Sequence, residues 1–117
     1  MSDHDPTCLF CKFVTREITP DIVAETEHSL AFRDINPQAP THVLVVPKRH
    51  VPNAAALAAA SPVEAADVLA LGGIIAQDDG LSEGYRFVFN TGAQAGQTVF
   101  HAHLHVLGGR DLTWPPG

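Results

Sequence analysis

The sequence predicts an α+β domain: an antiparallel sheet of about five strands carrying about two helices. Three observations lead there. Short β-prone segments follow one another with tight turns between them, and helical periodicity is confined to two stretches. The strand–helix alternation that would build a doubly wound parallel sheet is absent. The 117 residues suit a single domain, residues 1–117, with residues 1–7 reading as a flexible tail. Hydrophobic residues make up 45% of the chain and charged residues 17%, enough apolar material to bury a core rather than stay disordered.

Each element has a local cause. Cys8 to Glu17 reads as a short helix, ended at Thr19-Pro20 because a residue before proline is pushed out of the α region. Ile22 to Thr26 and Ser29 to Arg33 are β-prone and flank the turn-like pair Glu27-His28, a hairpin pattern. Asn36-Pro37-Gln38-Ala39-Pro40 is a turn that delivers the chain into Thr41 to Val46, a strand marked by β-branched residues and stopped by Pro47. From Val51 to Asp79 the chain is alanine-rich and helical. Ser61 is placed as N-cap, Pro62 at the first helical position, and Glu64 three residues after the cap. Val68, Leu71 and Ile75 then share one face, and Gly80 ends the helix. Gly72-Gly73 lies inside it at a helix cost of about 1 kcal/mol per glycine, which close packing on the sheet would explain. Tyr85 to Asn90 and Val99 to Leu107 read as strands joined by the glycine-rich loop Thr91 to Gln97.

Charge and processing signals narrow the function. Seven Lys and Arg against thirteen Asp and Glu give a net charge of −6, a poor balance for gripping a nucleic-acid backbone. Any phosphate must be held locally. No apolar run approaches the roughly 18 residues that cross a bilayer, and the polar, acidic start does not resemble a signal peptide. A cytoplasmic protein without nucleic-acid or membrane partners is expected. In a reducing compartment the C-x-x-C pair Cys8 and Cys11 suits a metal half-site better than a disulfide. Only seven residues precede it, too few for the strand that a thioredoxin-like motif follows.

Seven histidines stand against one Met, one Trp and one Tyr, and three of them fall within His101 to His105. In Phe100-His101-Ala102-His103-Leu104-His105-Val106 polar and apolar residues alternate, so a strand would project the three imidazoles from one face at spacings of roughly 6.8 Å. The outer pair would lie roughly 13 Å apart, too far for one metal ion to hold all three. Such a row suits an extended substrate. A metal-binding His-x-His site of the cupin kind would need further ligands downstream, and no His or Glu follows His105. Just upstream, Gly92 and Gly96 permit inward-turned backbone N–H groups, while Asn90, Gln97 and Thr98 add neutral donors. A phosphate held there would sit beside His103, placed for nucleophilic attack at phosphorus.

Gly96-Gln97-Thr98-Val99-Phe100-His101-Ala102-His103-Leu104-His105-Val106 resembles the motif of the histidine triad (HIT) superfamily. The continuation Leu107 to Gly117 resembles its histidine triad nucleotide-binding (Hint) branch, and Ala31 to His42 extends the likeness over nearly the whole chain. The resemblance implies a homodimer with a sheet continued between protomers and a purine nucleoside monophosphate at each. It implies that Asp34 holds the ribose, that Phe10, Ile35 and Leu44 line the base pocket, and that Asn90, Gly96, Gln97, Thr98 and Val99 surround the α-phosphate. His103 would attack phosphorus, expel an amine or acyl group and carry AMP until water releases it, with no organic cofactor. His101, His105 and His42 would orient this centre, and Trp114 would reach the partner's site. Taken alone, His42 reads as a surface histidine at a strand end rather than a site residue. Thr98, where the family usually has serine, keeps the hydroxyl needed to relay a proton to the leaving group. Cys8, Cys11, His50 and His101 match positions that bind a structural zinc in some bacterial relatives. Two other readings stay open: a nucleotide-binding adaptor with incidental hydrolysis, and a dinucleoside polyphosphate hydrolase.

Overall fold

Strands β1 (Ile22–Glu25) and β2 (Ser29–Arg33) form the expected antiparallel hairpin, closed by the Thr26 N–H donating to Ser29 O at 2.9 Å. The computed structural model describes residues 4–117, so residues 1–3 of the predicted tail lie outside it. Within the rest of that tail the Asp5 carboxylate accepts from the Thr7 N–H at 2.8 Å and hydroxyl at 2.7 Å. β3 (Thr41–Pro47) pairs with β2 along all of β2, then with β5 (Leu104–Gly108), which closes on β4 (Tyr85–Val88). All pairings are antiparallel and the order is β1-β2-β3-β5-β4, leaving β4 at an edge.

Alternation along the central strands sorts the sheet into two faces. Ala31, Val43, Val45, Leu104 and Val106 pack against the long helix α3 (Pro62–Asp78) through Val68, Leu71, Ile75 and Ala76. Leu30, Phe32, Leu44 and Val46 point the other way, into a smaller cluster with Phe10 of helix α1 (Leu9–Val14). His42 shares that second face with Leu44, and so does His105, which is paired directly with Leu44.

The alanine-rich stretch departs from expectation. Among the described residues there are three helices rather than two, because it is divided into α2 (Ala54–Ala60) and α3. Asn53 Oδ1 caps α2 through the Ala56 N–H at 2.9 Å. Ser61, extended at φ −157°, interrupts the chain and caps α3, its Oγ accepting the Glu64 N–H at 3.2 Å. The cap at Ser61 is where the sequence places it; Asn53 carries the same kind of signal earlier in the run. Helix α1 is shorter than Cys8 to Glu17. Cys8 caps it, and Arg16 at φ +66° turns its guanidinium onto Phe13 O at 2.7 Å, which closes the C-terminal end.

Gly72 shows why a helix stabilised by packing tolerates glycine. A Cβ built there would lie 2.8 Å from Leu104 Cδ2 and 3.0 Å from Phe87 Cζ, whereas one at Gly73 meets nothing within 4 Å. The expected outcome of Gly72→Val is a loss of about 1–3 kcal/mol in urea unfolding, from overpacking against β4 and β5. Gly73→Ala serves as the control and should be neutral or stabilising.

Candidate active site and metal centre

The histidine segment is not the straight strand its alternation suggests. β5 begins only at Leu104, so His105 is on the strand, His103 just precedes it and His101 lies on a bend. The Ala102 N–H leaves the sheet to donate to Val51 O at 2.7 Å, and this turns the His101 ring toward α1. The rings of His103 and His105 lie 5.0 Å apart, closer than the roughly 6.8 Å between same-face residues of a straight strand.

Hydrogen bonds fix the proton on each ring. His103 Nδ1 is 2.8 Å from the carbonyl oxygen of His101, so Nδ1–H donates and Nε2 keeps its lone pair. The Gln38 N–H donates to His42 Nδ1 at 3.0 Å, which places the His42 proton on Nε2. That Nε2 is 2.9 Å from His105 Nδ1 and 3.5 Å from Asp34 Oδ2, so it donates toward them and leaves the His105 proton on Nε2. His105 Nε2 is buried and has no hydrogen-bond partner, an N–H held ready for one. A bare nucleophilic nitrogen and an unsatisfied donor thus stand on neighbouring rings.

Burial keeps these rings neutral. It lowers the pKa of His103 and His42, with the nearby Asp34 carboxylate opposing in both. His105 is pushed down to about 4 by burial and by the neighbouring His103 and His42. At pH 7 the His103 imidazole is uncharged, the form in which a ring nitrogen keeps a lone pair for nucleophilic attack.

The other expected residues divide by position. Phe10 stands edge-on to His103 with centroids 5.1 Å apart, and Leu44 and Val99 belong to or pack against the same apolar cluster. Asp34 accepts the Asn36 N–H at 2.8 Å and keeps its second oxygen near His42. Ile35 is wholly exposed at 100% and takes no part in that cluster; Trp114 is 81% exposed. Asn90 is half-buried just beyond β4, and Gly96 takes φ +88° at the end of a 3-10 turn, Ala93–Ala95. Thr98 is exposed. Gln97, expected beside the phosphate, turns its carboxamide into the loop. Its side chain is buried, with Oε1 accepting the Gly92 N–H at 2.8 Å and Nε2 donating to Pro52 O at 2.7 Å and Val99 O at 3.1 Å. The carboxamide is spent holding the loop in shape.

Cys8, Cys11, His50 and His101 do come together, each offering an atom within 4.8 Å of the others. His50 Nδ1 and His101 Nδ1 are 3.2 Å apart, and sulfur–nitrogen separations are 3.5 Å for Cys8–His101, 3.3 Å for Cys11–His50 and 3.6 Å for Cys11–His101. A tetrahedral zinc with bonds of about 2.3 Å to sulfur and about 2.0 Å to nitrogen implies edges of about 3.5 Å and about 3.3 Å. The donor set fits. Outer contacts agree: His101 Nε2–H donates to Pro47 O at 2.7 Å, turning its Nδ1 lone pair inward, and the Asp5 N–H points at Cys11 Sγ at 3.3 Å. A second trio, Asp34, His42 and His105, is equally close-set. It lacks the electronic requirement, because the Gln38 N–H occupies the His42 Nδ1 lone pair and leaves a proton on the nitrogen a metal would need.

Sequence reasoning overlooked Gln38 as the group that orients His42, and Pro47 O as the group that orients His101. Both act through the backbone, so side-chain chemistry gave no sign of them.

An antiparallel α+β domain that gathers neutral histidines on one sheet face, beside a Cys2His2 donor set, defines a compact class. The chain belongs to the HIT domain family, whose pattern matches residues 15–112. A crystal structure titled a HIT family hydrolase, from Legionella pneumophila, is similar at 47% identity with a TM-score of 0.91, over 95% of this chain and 100% of that one. A structure titled a histidine triad nucleotide-binding protein, from Candida albicans, is similar at 30% identity with a TM-score of 0.81, over 93% of this chain and 83% of that one. Among sequences, a 14 kDa zinc-binding protein from Zea mays is 44% identical over 98% of this chain and 91% of its own length.

Proposed function

We propose that this protein is a purine nucleoside phosphoramidate hydrolase that also cleaves acyl-adenylates, working through a nucleotidyl-His103 intermediate. The observation that carries the reading is the pairing of a neutral His103 whose Nε2 lone pair is free with the unpartnered Nε2–H of His105 on the adjacent ring. In the first step the His103 Nε2 lone pair forms the bond to phosphorus and the phosphorus–nitrogen bond of the substrate breaks. The leaving amine takes a proton supplied by water through the Thr98 hydroxyl as relay, while the His105 Nε2–H donates a hydrogen bond to the phosphoryl oxygen on which charge builds. In the second step water attacks phosphorus, the bond to His103 breaks, AMP departs, and the proton lost by the water restores the donor. Asp34 on the ribose and Phe10, Leu44 and Ile35 around the base complete the assignment, with Asn90, Gly96 and Val99 beside the phosphate.

The similar structures from Legionella pneumophila and Candida albicans, a HIT family hydrolase and a histidine triad nucleotide-binding protein, support hydrolysis and nucleotide binding in this reading. We further assign a structural zinc to Cys8, Cys11, His50 and His101, where it would fix the His101 ring and cross-link α1 to the segment after β3. A homodimer fits two exposed features. β4 has an unpaired edge, and α3 presents Leu69 and Ile74 to solvent. Trp114 would then reach the partner. Unoxidised thiols suit the cytoplasm, and no helix among the described residues is long and apolar enough to cross a membrane.

The test is a single-turnover experiment with a radiolabelled adenosine phosphoramidate, quenched in alkaline denaturant. The expected result is label retained on the protein and mapped to His103. Tight AMP binding with no adduct and no turnover would favour the adaptor reading, and faster turnover of dinucleoside polyphosphates would reassign the substrate.

A further inference from the structure

The His105 donor exists only in one of two tautomers, and a neutral imidazole places its proton on either nitrogen with little preference. If His42 carried its proton on Nδ1, its bare Nε2 would draw the His105 proton to Nδ1. His105 Nε2 would then face the site as a second lone pair beside that of His103. The choice is made by the Gln38 N–H, 3.0 Å from His42 Nδ1, and favoured from the other side by Asp34 Oδ2, 3.5 Å from His42 Nε2.

Gln38 lies between β2 and β3, in a turn that no strand pairing holds. It is held instead by the chain that follows the histidine strand. Arg110 Nε donates to Gln38 O at 3.0 Å, and its Nη1 donates to Asp111 O at 2.8 Å, which fixes the guanidinium. Gly109 takes φ +89° and backs directly onto Pro40, so close that a Cβ would come within 2.9 Å of Pro40 Cβ. Only glycine combines that conformation with that approach.

We propose that Gly109 and Arg110 are positioning residues that brace the turn of residues 36–40 so that the Gln38 N–H sets the tautomers of His42 and His105. The chain directly after the histidine strand thereby carries the device that orients the proton on its last histidine. The kinetic part of this proposal rests on the hydrolase reading; the tautomer part does not.

The test uses the full-length protein labelled with 15N-histidine. Two-bond proton–nitrogen correlation spectra report which ring nitrogen carries the proton. In the wild type His42 and His105 should both show the Nε2–H pattern and His103 the Nδ1–H pattern. In Arg110→Ala and Gly109→Ala, His42 and His105 should move toward a mixture, and kcat should fall roughly tenfold with KM little changed, a partial loss of the His105 hydrogen bond to the transition state. Arg110→Lys keeps a donor and should recover part of both signals. Unchanged tautomers in folded Arg110→Ala and Gly109→Ala would overturn the brace. A wild type with these tautomers and no hydrolysis would overturn the hydrolase reading and leave the brace standing.

Discussion

Replacing His103 with alanine should lower kcat for an adenosine phosphoramidate by at least roughly 1000-fold, the usual scale for losing a covalent nucleophile. AMP affinity should change by no more than a few fold. No other imidazole nitrogen of the rings beside His103 is free to substitute. His101 Nε2 is committed to Pro47 O and its Nδ1 faces the cysteines. Both nitrogens of His42 are engaged, as is His105 Nδ1, and His105 Nε2 carries a proton. Only His103 Nε2 presents a lone pair beside an available donor. Initial rates and calorimetric AMP titrations on wild type and variant provide the measurement. Activity within tenfold of wild type would place the nucleophile elsewhere.

The fold was legible where a residue's type decides its local conformation. The Ile22 to Arg33 hairpin, the Thr41 strand and the Ser61 cap all belong to this group. The second helix boundary escaped because a run of alanines carries no periodicity, and Asn53 was a small signal inside it. The bend at His101 escaped for a different reason. Strict alternation is a correct sign of residues that face opposite sides, but it does not show that the backbone is paired, and Ala102 spends its N–H on Val51 O instead. Within the site, side-chain identities were readable and their coupling was not. The backbone groups of Gln38, Pro47 and His101 select every tautomer that matters, and a backbone N–H or carbonyl is common to almost every residue. Gln97 illustrates the converse: its side chain reads in sequence as an open amide donor, and the backbone of the loop and of Pro52 engages it.

Protein purified without chelator should contain close to one zinc per chain, and Cys11→Ser should reduce that below roughly a tenth while lowering stability by roughly 2–5 kcal/mol, on the scale of losing a native cross-link. The cluster explains both parts. Without a cation, two imidazole nitrogens face each other at 3.2 Å, and burial pushes the Cys11 thiol up to about 11, so the sulfur stays protonated at neutral pH. A zinc ion would convert this set of poorly matched donors into four bonds joining α1, the segment after β3 and the bend before β5. The stoichiometry is itself discriminating. Among the described residues two close-set donor groups are present, but only the first has its lone pairs free, because the Gln38 N–H keeps the His42 proton on Nε2. One zinc is therefore expected, not two. Elemental analysis paired with urea unfolding of wild type, chelator-treated protein and Cys11→Ser reads both quantities. A wild type with less than a few per cent zinc that unfolds at the same urea concentration before and after chelation would remove the metal from this site.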